Sequence, residues 1–313
     1  MTTMLGIDLS TLGDQFGGYT PGRTLIIDGD GPAYAAAATV KTLSTGIKRF
    51  HTAVLTQAFL AKAEFVEVHL TANTSNKAGR FNILAAKPYQ GNRTSKAKPP
   101  LLEPLRQAIA HRENWLPEYS DCTMHYVLEA DDGMIQSAYR LKEHGVIWSE
   151  DKDLRMTPYP YFDRKSGQVV VPTGFGSLHM EYTEKAGTAK CLGLGRKFFW
   201  AQMLMGDTAD HIQGVAKLDG KLCGPVGAFQ YLDPINDESE AANAVIDAYR
   251  AIDQNPIPEA WLLWLLRWHG DTAWLYFNEL QWSPANRAFL DDCVYRQWFK
   301  AAEPKEEYND VPY

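Results

Sequence analysis

The chain has 313 residues, of which 45% are hydrophobic and 22% charged; this composition is typical of a globular protein and excludes an intrinsically disordered one. The longest apolar run near the C-terminus, residues 260–266, is far shorter than the roughly 20 residues that cross a bilayer, and the N-terminus lacks a signal-peptide pattern. The net charge of −7 argues at first against a nucleic-acid partner, although the placement of charges matters more than their sum.

The cysteines and the length set two further expectations. The four cysteines are widely separated along the chain: Cys122, Cys191, Cys223 and Cys293. Their spacing fits neither a zinc site nor a disulfide framework, so we expect reduced thiols and a cytoplasmic protein. A chain of this length forms one large domain or two ordinary ones.

The first predicted elements alternate between strand and helix. Residues 1–22 are interpreted as an irregular N-terminal arm, and Thr24–Asp28 as a buried strand that ends on a carboxylate. A helix of strong propensity starts at Ala33. A second helix is expected over about 47–63, and a second strand over 65–70.

Residues 74–117 form a basic, partly irregular insertion between two strands. They contain Lys77, Arg80, Lys87, Arg93, Lys96, Lys98, Arg106 and Arg112, against Glu103 and Glu113. Two interpretations stay open from composition alone. The segment is either a solvated loop, or a segment that follows phosphates and stacks bases.

An acidic stretch, Glu129-Ala130-Asp131-Asp132, is the centre of the sequence. It follows residues 126–128, which we expect to end a buried strand, and precedes a predicted helix over 133–144. One acidic residue there would be explained by the preference of a helix N-terminus for anions. Three anions within four residues repel one another, which favours a bound cation.

Carboxylates also follow the next predicted strand. Residues 146–149 are read as a third strand, which leads directly to Asp151 and Asp153, and 158–185 as one or two hairpins. Since parallel strands end at one edge of a sheet, we expect Asp28, the 129–132 stretch and this pair to converge there. The sequence therefore predicts a divalent-metal site at that edge.

From about Gly193 the chain is predicted to be helical. One helix ends near Met205 and is followed by Asp207 and Asp210, which are three residues apart. Further helices are expected near 237–251 and 257–268, with a Gly-rich turn at 220–228. That turn is either an ordinary helical connection or part of an element, about 206–230, that offers backbone amides to DNA.

Five motifs in this order resemble the flap endonuclease/5′→3′ exonuclease family. The motifs are Ile27-Asp28-Gly29-Asp30, Tyr89-Gln90-Gly91-Asn92-Arg93, Glu129-Ala130-Asp131-Asp132, Ser149-Glu150-Asp151-Lys152-Asp153, and Met205-Gly206-Asp207-Thr208-Ala209-Asp210-His211-Ile212-Gln213-Gly214-Val215. The resemblance covers about residues 24–228 and is strongest to the gene 6-type exonucleases of short-tailed phages. The last motif is the most specific.

The resemblance implies a fold, an activity and a ligand set. The fold is a PIN-like α/β parallel sheet flanked by helices in a catalytic domain at 23–192, with a helical arch at about 74–117. A helical DNA-binding region with a helix–three-turn–helix domain follows at 193–313. The implied activity is metal-dependent 5′→3′ exonuclease or flap endonuclease cleavage of DNA with 5′ ends or flaps, or of RNA–DNA hybrids, with no membrane partner. The implied cofactors are two Mg²⁺ or Mn²⁺ ions and a K⁺ ion in the helix–turn–helix loop.

The resemblance also implies residues for each role. The family's metal-binding and catalytic carboxylates match Asp28, Glu129, Asp131, Asp132, Asp151, Asp153, Asp207 and Asp210. The residues expected to contact DNA are Tyr89, Lys87, Arg93, Lys96, Lys98, Lys217 and Lys221, with Tyr89 stacking on a base near the cut.

The sequence departs from the family pattern at three places. Residues 70–73 lack the family's acidic residue, so one outer metal contact is either missing or replaced by Asn73. Gln90 stands where the family has a lysine, so Lys87 or Arg93 is expected to supply that charge. The loop at 215–228 is longer than usual. Two alternatives stay open: a PIN-type ribonuclease, and a replication accessory protein that binds DNA but has lost catalytic activity.

Overall fold

The computed structural model describes residues 18–93, 97–111, 120–183 and 188–300. It also gives the backbone of two short paired strands, β1 (Thr3–Met4) and β2 (Ile7–Asp8). Most of the expected N-terminal arm therefore lies outside the described residues. Within the described residues, no helix is both long and apolar enough to cross a membrane.

A mainly parallel six-stranded sheet forms the centre of the first 170 residues. Its strands are β3 (Thr20–Asp28), β4 (Ala63–Thr71), β5 (Ser120–His125), β6 (Gly145–Trp148), β7 (Tyr161–Asp163) and β8 (Gln168–Val170). The strand order is β5-β4-β3-β6-β7-β8, and β8 runs antiparallel to β7. The carboxyl ends of β5, β4, β3 and β6 consequently share one edge.

Helices cover both faces of this sheet. The first face carries α1 (Asp30–Thr39), α2 (Leu43–Leu60) and α3 (Leu102–Ala110), and the second carries α4 (Ala130–Leu141). Along β3, Leu25 and Ile27 pack under the first set, whereas Ile26 packs under α4. This alternation explains the continuous apolar run, because a parallel strand is buried on both faces.

Two local predictions are wrong. Residues 126–128 do not extend the strand: β5 ends at His125, and Tyr126 and Val127 are 55% and 58% exposed. A short apolar run identifies no element by itself. Helix α3, which was included in the expected arch, instead packs into the core through Leu105 and Ile109. The described residues between Ile83 and Leu101 contain no helix.

The C-terminal third is helical, as expected, and has its own core. After the hairpin β9 (Ser177–Thr183) and β10 (Thr188–Leu194), the described residues up to 300 form six helices: α5 (Arg196–Met205), α6 (Pro225–Leu232), α7 (Glu238–Arg250), α8 (Ile257–Leu263), α9 (Ala273–Phe277) and α10 (Pro284–Tyr295). Helix α5 is buried on all sides; Phe198, Phe199 and Trp200 are fully buried, which explains why its sequence is apolar without an amphipathic period.

A buried ion pair joins α4 to the helical region. Both terminal nitrogens of Arg80 bond the two oxygens of Asp132 at 2.8 Å, and the two residues are 2% and 0% exposed. Arg80 also donates to the carbonyl of Trp264 at 3.0 Å, while Leu266 N–H donates to Asp132 at 3.2 Å. The first turn of α4 is thus fixed to the chain that follows α8.

This pair should matter greatly for stability. Replacing Arg80→Met leaves the buried Asp132 charge without its partner, which we expect to cost about 3–5 kcal/mol of unfolding free energy. Urea unfolding measures the change.

Two variants control that experiment. Asp132→Asn added to Arg80→Met should recover part of the loss. Arg140→Met, at the exposed pair with Glu67, should cost no more than about 1 kcal/mol. A loss of unfolding free energy below about 1 kcal/mol for Arg80→Met would contradict the stabilising role of the Arg80–Asp132 ion pair.

Candidate active site

Asp28 ends the central strand β3 at the shared edge. Its Oδ1 accepts the N–H of Asp30 at 3.0 Å, and its Oδ2 accepts the hydroxyl of Ser149 at 3.2 Å. Burial, and then the charge of Asp30, raise the pKa of Asp28 to about 6. The fold therefore holds this carboxylate where its charge is disfavoured.

The acidic stretch 129–132 forms the N-terminus of α4. Glu129 caps the helix in a reciprocal capping box with Asp132, which places Asp131 in the first turn. Burial raises the pKa of Asp131 well above its usual range, followed by repulsion from Asp28, Asp151 and Glu129. Carboxylates from three strand ends are therefore brought together, close enough that the charges of Asp28 and Asp151 act on Asp131.

Asp132 has a different environment from its neighbours. Both of its oxygens are taken by Arg80, and two backbone N–H groups, of Glu129 and Leu266, donate to them as well. Burial disfavours its charge, but Arg80 and these donors hold its pKa below the usual range. We therefore infer that Asp132 positions α4 rather than binding an ion.

A second acidic group forms around Lys152. The lysine Nζ lies 2.7 Å from Asp153 Oδ1 and 2.5 Å from Asp207 Oδ2, and Gln202 donates to the same two oxygens. Burial and the charge of Asp151 raise the pKa of Asp153 to about 7. For Asp207, burial is outweighed by Lys152, so its pKa is lowered. Lys152 is the cation between the two carboxylates.

Two glycines explain the spacing of the most specific motif. Gly206 and Gly214 have φ of 71° and 72°, which favours glycine. They also meet backbone to backbone: a Cβ on Gly206 would lie 2.3 Å from the carbonyl oxygen of Ile212, and one on Gly214 would lie 2.4 Å from Gly206 N. Between them, Asp207 and Ile212 exchange two backbone hydrogen bonds. The turn fixes Asp207 at the end of α5.

The Tyr89–Arg93 motif docks on this turn, although the two are more than 110 residues apart in sequence. Gln90 bonds Asp210 through both its backbone and its side chain, at 2.8 and 3.0 Å. Arg93 pairs with the same carboxylate at 2.5 Å, and Asn92 donates to the carbonyl of Thr208. Asp210 thus points at basic and polar groups of this segment.

Tyr89 corrects one expectation. Its ring is 7% exposed, packs against Phe81 with centroids 5.7 Å apart, and its hydroxyl donates to Glu129 Oε2 at 2.9 Å. A ring buried in this way does not stack on a base. Tyr89 instead orients Glu129. The sequence motif alone could not show how deeply the Tyr89 ring is buried.

The other residues expected to contact DNA lie on the surface. Lys87, Arg93, Lys98, Lys217 and Lys221 are exposed, and Lys96 lies outside the described residues. Lys98 donates to Asn73 Oδ1 at 3.0 Å, and Arg106 donates to the same oxygen at 3.2 Å. Asn73, the suggested substitute for an acidic residue, is therefore engaged with cations.

Three site residues were not assigned from the sequence: Lys77, Arg80 and Lys152. Lys77 Nζ bonds Glu129 Oε1 at 2.8 Å and Gln90 Oε1 at 2.9 Å. Arg80 lies 49 and 52 residues from its partners Glu129 and Asp132, so no local pattern could reveal it. Lys152 stands between two aspartates in the sequence, which was the single available signal.

The acidic side chains at this sheet edge suit hard divalent cations. They offer carboxylate oxygens, which Mg²⁺ and Mn²⁺ prefer as ligands. In the described part of the chain, no three His, Cys, Asp or Glu side chains are already arranged to enclose an ion. Mg²⁺ requires no such cage, because it usually binds one or two carboxylates and keeps several waters.

Comparison with known proteins identifies the fold. No protein-family model and no curated protein matches the sequence. The structure matches that of the bacteriophage T5 D15 protein, co-crystallised with metal ions, with a TM-score of 0.50 and 15% identity over 87% of this chain and 98% of that one. The chain has the D15 fold. This confirms the predicted α/β fold class, in which a mainly parallel sheet is flanked by helices.

Two further structures resemble this D15-like chain over the same 87% of its length and 98% of theirs. One is the T5 5′-exonuclease with bound zinc, at a TM-score of 0.48 and 16% identity. The other is the D15 flap endonuclease in a pseudo-enzyme–product complex with DNA and metal ions, at 0.49 and 14%.

The raised pKa of Asp28 predicts a pH-dependent effect on stability in chelator. Between the usual pKa of 3.8 and the folded value of about 6, the folded state keeps a proton that the unfolded chain releases. The destabilisation therefore grows above about pH 4 and is complete above about pH 6. We expect Asp28→Asn to stabilise the metal-free protein by on the order of 1–2 kcal/mol at pH 8 and by little at pH 4.

Chemical denaturation at both pH values measures this effect. The control is Glu150→Gln, because the side chain of Glu150 is 81% exposed. A stabilisation by Asp28→Asn that is equal at pH 4 and pH 8 would contradict the assigned cause.

Proposed function

We propose that the protein is a metal-dependent 5′ nuclease that hydrolyses phosphodiester bonds of DNA. The observation that carries this proposal is that Asp28, Asp131 and Asp151 follow strands whose carboxyl ends share one sheet edge, and that the charges of Asp28 and Asp151 raise the pKa of Asp131. Gathering these charges is costly without a cation. The T5 D15 protein, which shares this fold, was co-crystallised with metal ions and adds support.

Each group of carboxylates has a role in the proposed reaction. Asp28, Asp131 and Asp151 would hold one divalent ion, Asp153 and Asp207 would hold a second, and Glu129 and Asp210 would lie beside them. When bound, divalent ions activate a water and stabilise the leaving oxygen. Ser149 and the Asp30 N–H fix the orientation of Asp28, and Gln202 fixes Asp153 and Asp207.

We propose that the exposed lysine and arginine side chains bind the DNA backbone. Arg93 lies beside Asp210, and Lys87 and Lys98 flank the same segment. Lys217 and Lys221 lie in the turn before α6, where Leu218 and Lys221 pair. We assign these side chains to phosphates, which supply most of the sequence-independent affinity for DNA.

The remaining details belong to the same proposal. We infer that the ions are Mg²⁺, that the substrate is DNA with a 5′ end or flap, and that the enzyme works in the cytoplasm of a phage-infected host. The ribonuclease alternative predicts a chain without the helical region at 193–270, and this chain has it. The inactive-accessory alternative predicts loss of the acidic residues, and all eight are present.

The direct test is metal-dependent cleavage of a 5′-labelled duplex or flap. We expect cleavage to need Mg²⁺ or Mn²⁺ and to stop in excess chelator. Asp131→Asn should lower the rate by at least about a hundredfold, because it removes the carboxylate whose charge interacts with both Asp28 and Asp151. It should not unfold the protein, since it relieves repulsion.

Glu150→Gln is the matched control. Glu150 precedes Asp151 directly, but its exposed side chain pairs with Arg164, so its replacement should leave the rate unchanged. Full activity in chelator, or equal rates for Asp131→Asn and the wild type, would overturn the proposed function. Cleavage of RNA but not DNA would favour the ribonuclease.

A further inference from the structure

Residues 77–79 adopt three consecutive left-handed backbone conformations. Lys77, Ala78 and Gly79 have φ of 55°, 56° and 76°. This conformation is unfavourable for a residue with a Cβ, and such strain persists where the surroundings enforce it. Ala78 N–H donates to the carbonyl of Val127 at 2.7 Å, and Lys77 N–H donates to Ser75 Oγ at 3.1 Å.

The strained turn directs the side chain of Lys77 into the acidic edge. Its ammonium group reaches Glu129 Oε1 at 2.8 Å and Gln90 Oε1 at 2.9 Å, and the side chain is 19% exposed. A lysine at an unstrained surface position would keep this group in water. The backbone therefore holds a cation beside the carboxylates rather than leaving it free.

Lys77 is not needed merely to balance the charge of Glu129. Glu129 Oε2 already accepts the Tyr89 hydroxyl at 2.9 Å and an Arg80 nitrogen at 3.2 Å. Lys77 occupies the opposite oxygen, Oε1. That oxygen is the one left for a divalent ion, so an ion bound there competes directly with Lys77.

We propose that Lys77 changes its partner when a divalent ion binds Glu129. Its ammonium group then leaves Glu129 and binds a phosphate of the bound DNA strand. This rests on the proposed function. Gln90 Oε1 remains a partner during the exchange and keeps the ammonium group at the edge. The compact ammonium suits this step, because its three donors rotate freely between acceptors.

The surroundings of Lys77 fit a nucleotide. Phe81 lies in the same turn, its ring is 46% exposed, and Lys77 Nζ is 5.7 Å from the ring centroid. An exposed aromatic ring beside a cation can contact a base while the cation contacts its phosphate. Phe81 thus offers the apolar surface that the buried Tyr89 does not.

The test measures DNA affinity rather than cleavage. Fluorescence anisotropy with a 5′-flap DNA is recorded in Ca²⁺, which occupies carboxylates, and in EDTA. Lys77→Met should weaken binding in Ca²⁺ about tenfold or more, as expected for one hydrogen bond to a charged group. The slope of log K against log salt should fall by about 0.7–0.9. In EDTA, Lys77 stays with Glu129, so the change should be small.

Three further variants make the test specific. Lys77→Arg keeps the charge and should restore part of the affinity, whereas Lys77→Gln should behave as Lys77→Met does. Lys48→Met, at an exposed position of α2, controls for the loss of any positive charge. Thermal melting confirms that each variant is folded.

Two results would overturn the exchange. They are an unchanged affinity of Lys77→Met in Ca²⁺, and an equal loss in Ca²⁺ and EDTA. A wild-type protein that neither binds nor cuts DNA would overturn the proposed function itself. A wild-type protein that cuts DNA, with Lys77→Met binding equally well, would overturn the role of Lys77 alone.

Discussion

Repulsion among acidic side chains at the carboxyl edge of the sheet is the constraint on which the structure depends. Parallel strands bring their ends to one edge, so Asp28, Asp131 and Asp151 meet without any special contact between their elements. The result is an edge where burial and like charges raise pKa values, as they do for Asp28 and Asp153. Such an acidic edge is stable only if cations from elsewhere balance its negative charge.

The chain supplies these cations from distant segments, and it supplies them selectively. Arg80 pairs with Asp132, Lys152 with Asp207, and Arg93 with Asp210. Within the described part of the chain, no lysine or arginine pairs with Asp28, Asp131 or Asp151. Repulsion among those three carboxylates is therefore not offset by a direct lysine or arginine partner in the described residues. The cations also join the two cores, because Arg80 contacts the chain after α8.

The sequence predicted the sheet and its acidic edge well, for physical reasons. Residues 24–27 of the first predicted strand are buried, and Asp28, which follows them, lies at the carboxyl edge of the sheet. The motif with Gly206 and Gly214 was also informative, because a backbone contact tolerates no Cβ. These features depend on neighbours in sequence or on the general rules of parallel sheets.

The pairing of individual side chains could not be predicted. Which aspartate Arg80 neutralises depends on a contact 52 residues away, and a linear pattern contains no such distance. Tyr89 was misjudged for a similar reason: its ring is covered by Phe81 and by neighbours from the helical region. Residues 126–128 show the same limit, because apolar residues at an exposed bend resemble the end of a strand.

The most direct test of the account is the location of bound Mn²⁺ by anomalous X-ray scattering from crystals of the wild-type protein. The account predicts anomalous density beside Asp28, Asp131 and Asp151, a second peak beside Asp153 and Asp207, and Lys152 displaced from those two carboxylates. Crystals soaked in millimolar Mn²⁺ that show no density at this edge, with Lys152 still bonded to Asp153 and Asp207, would contradict it.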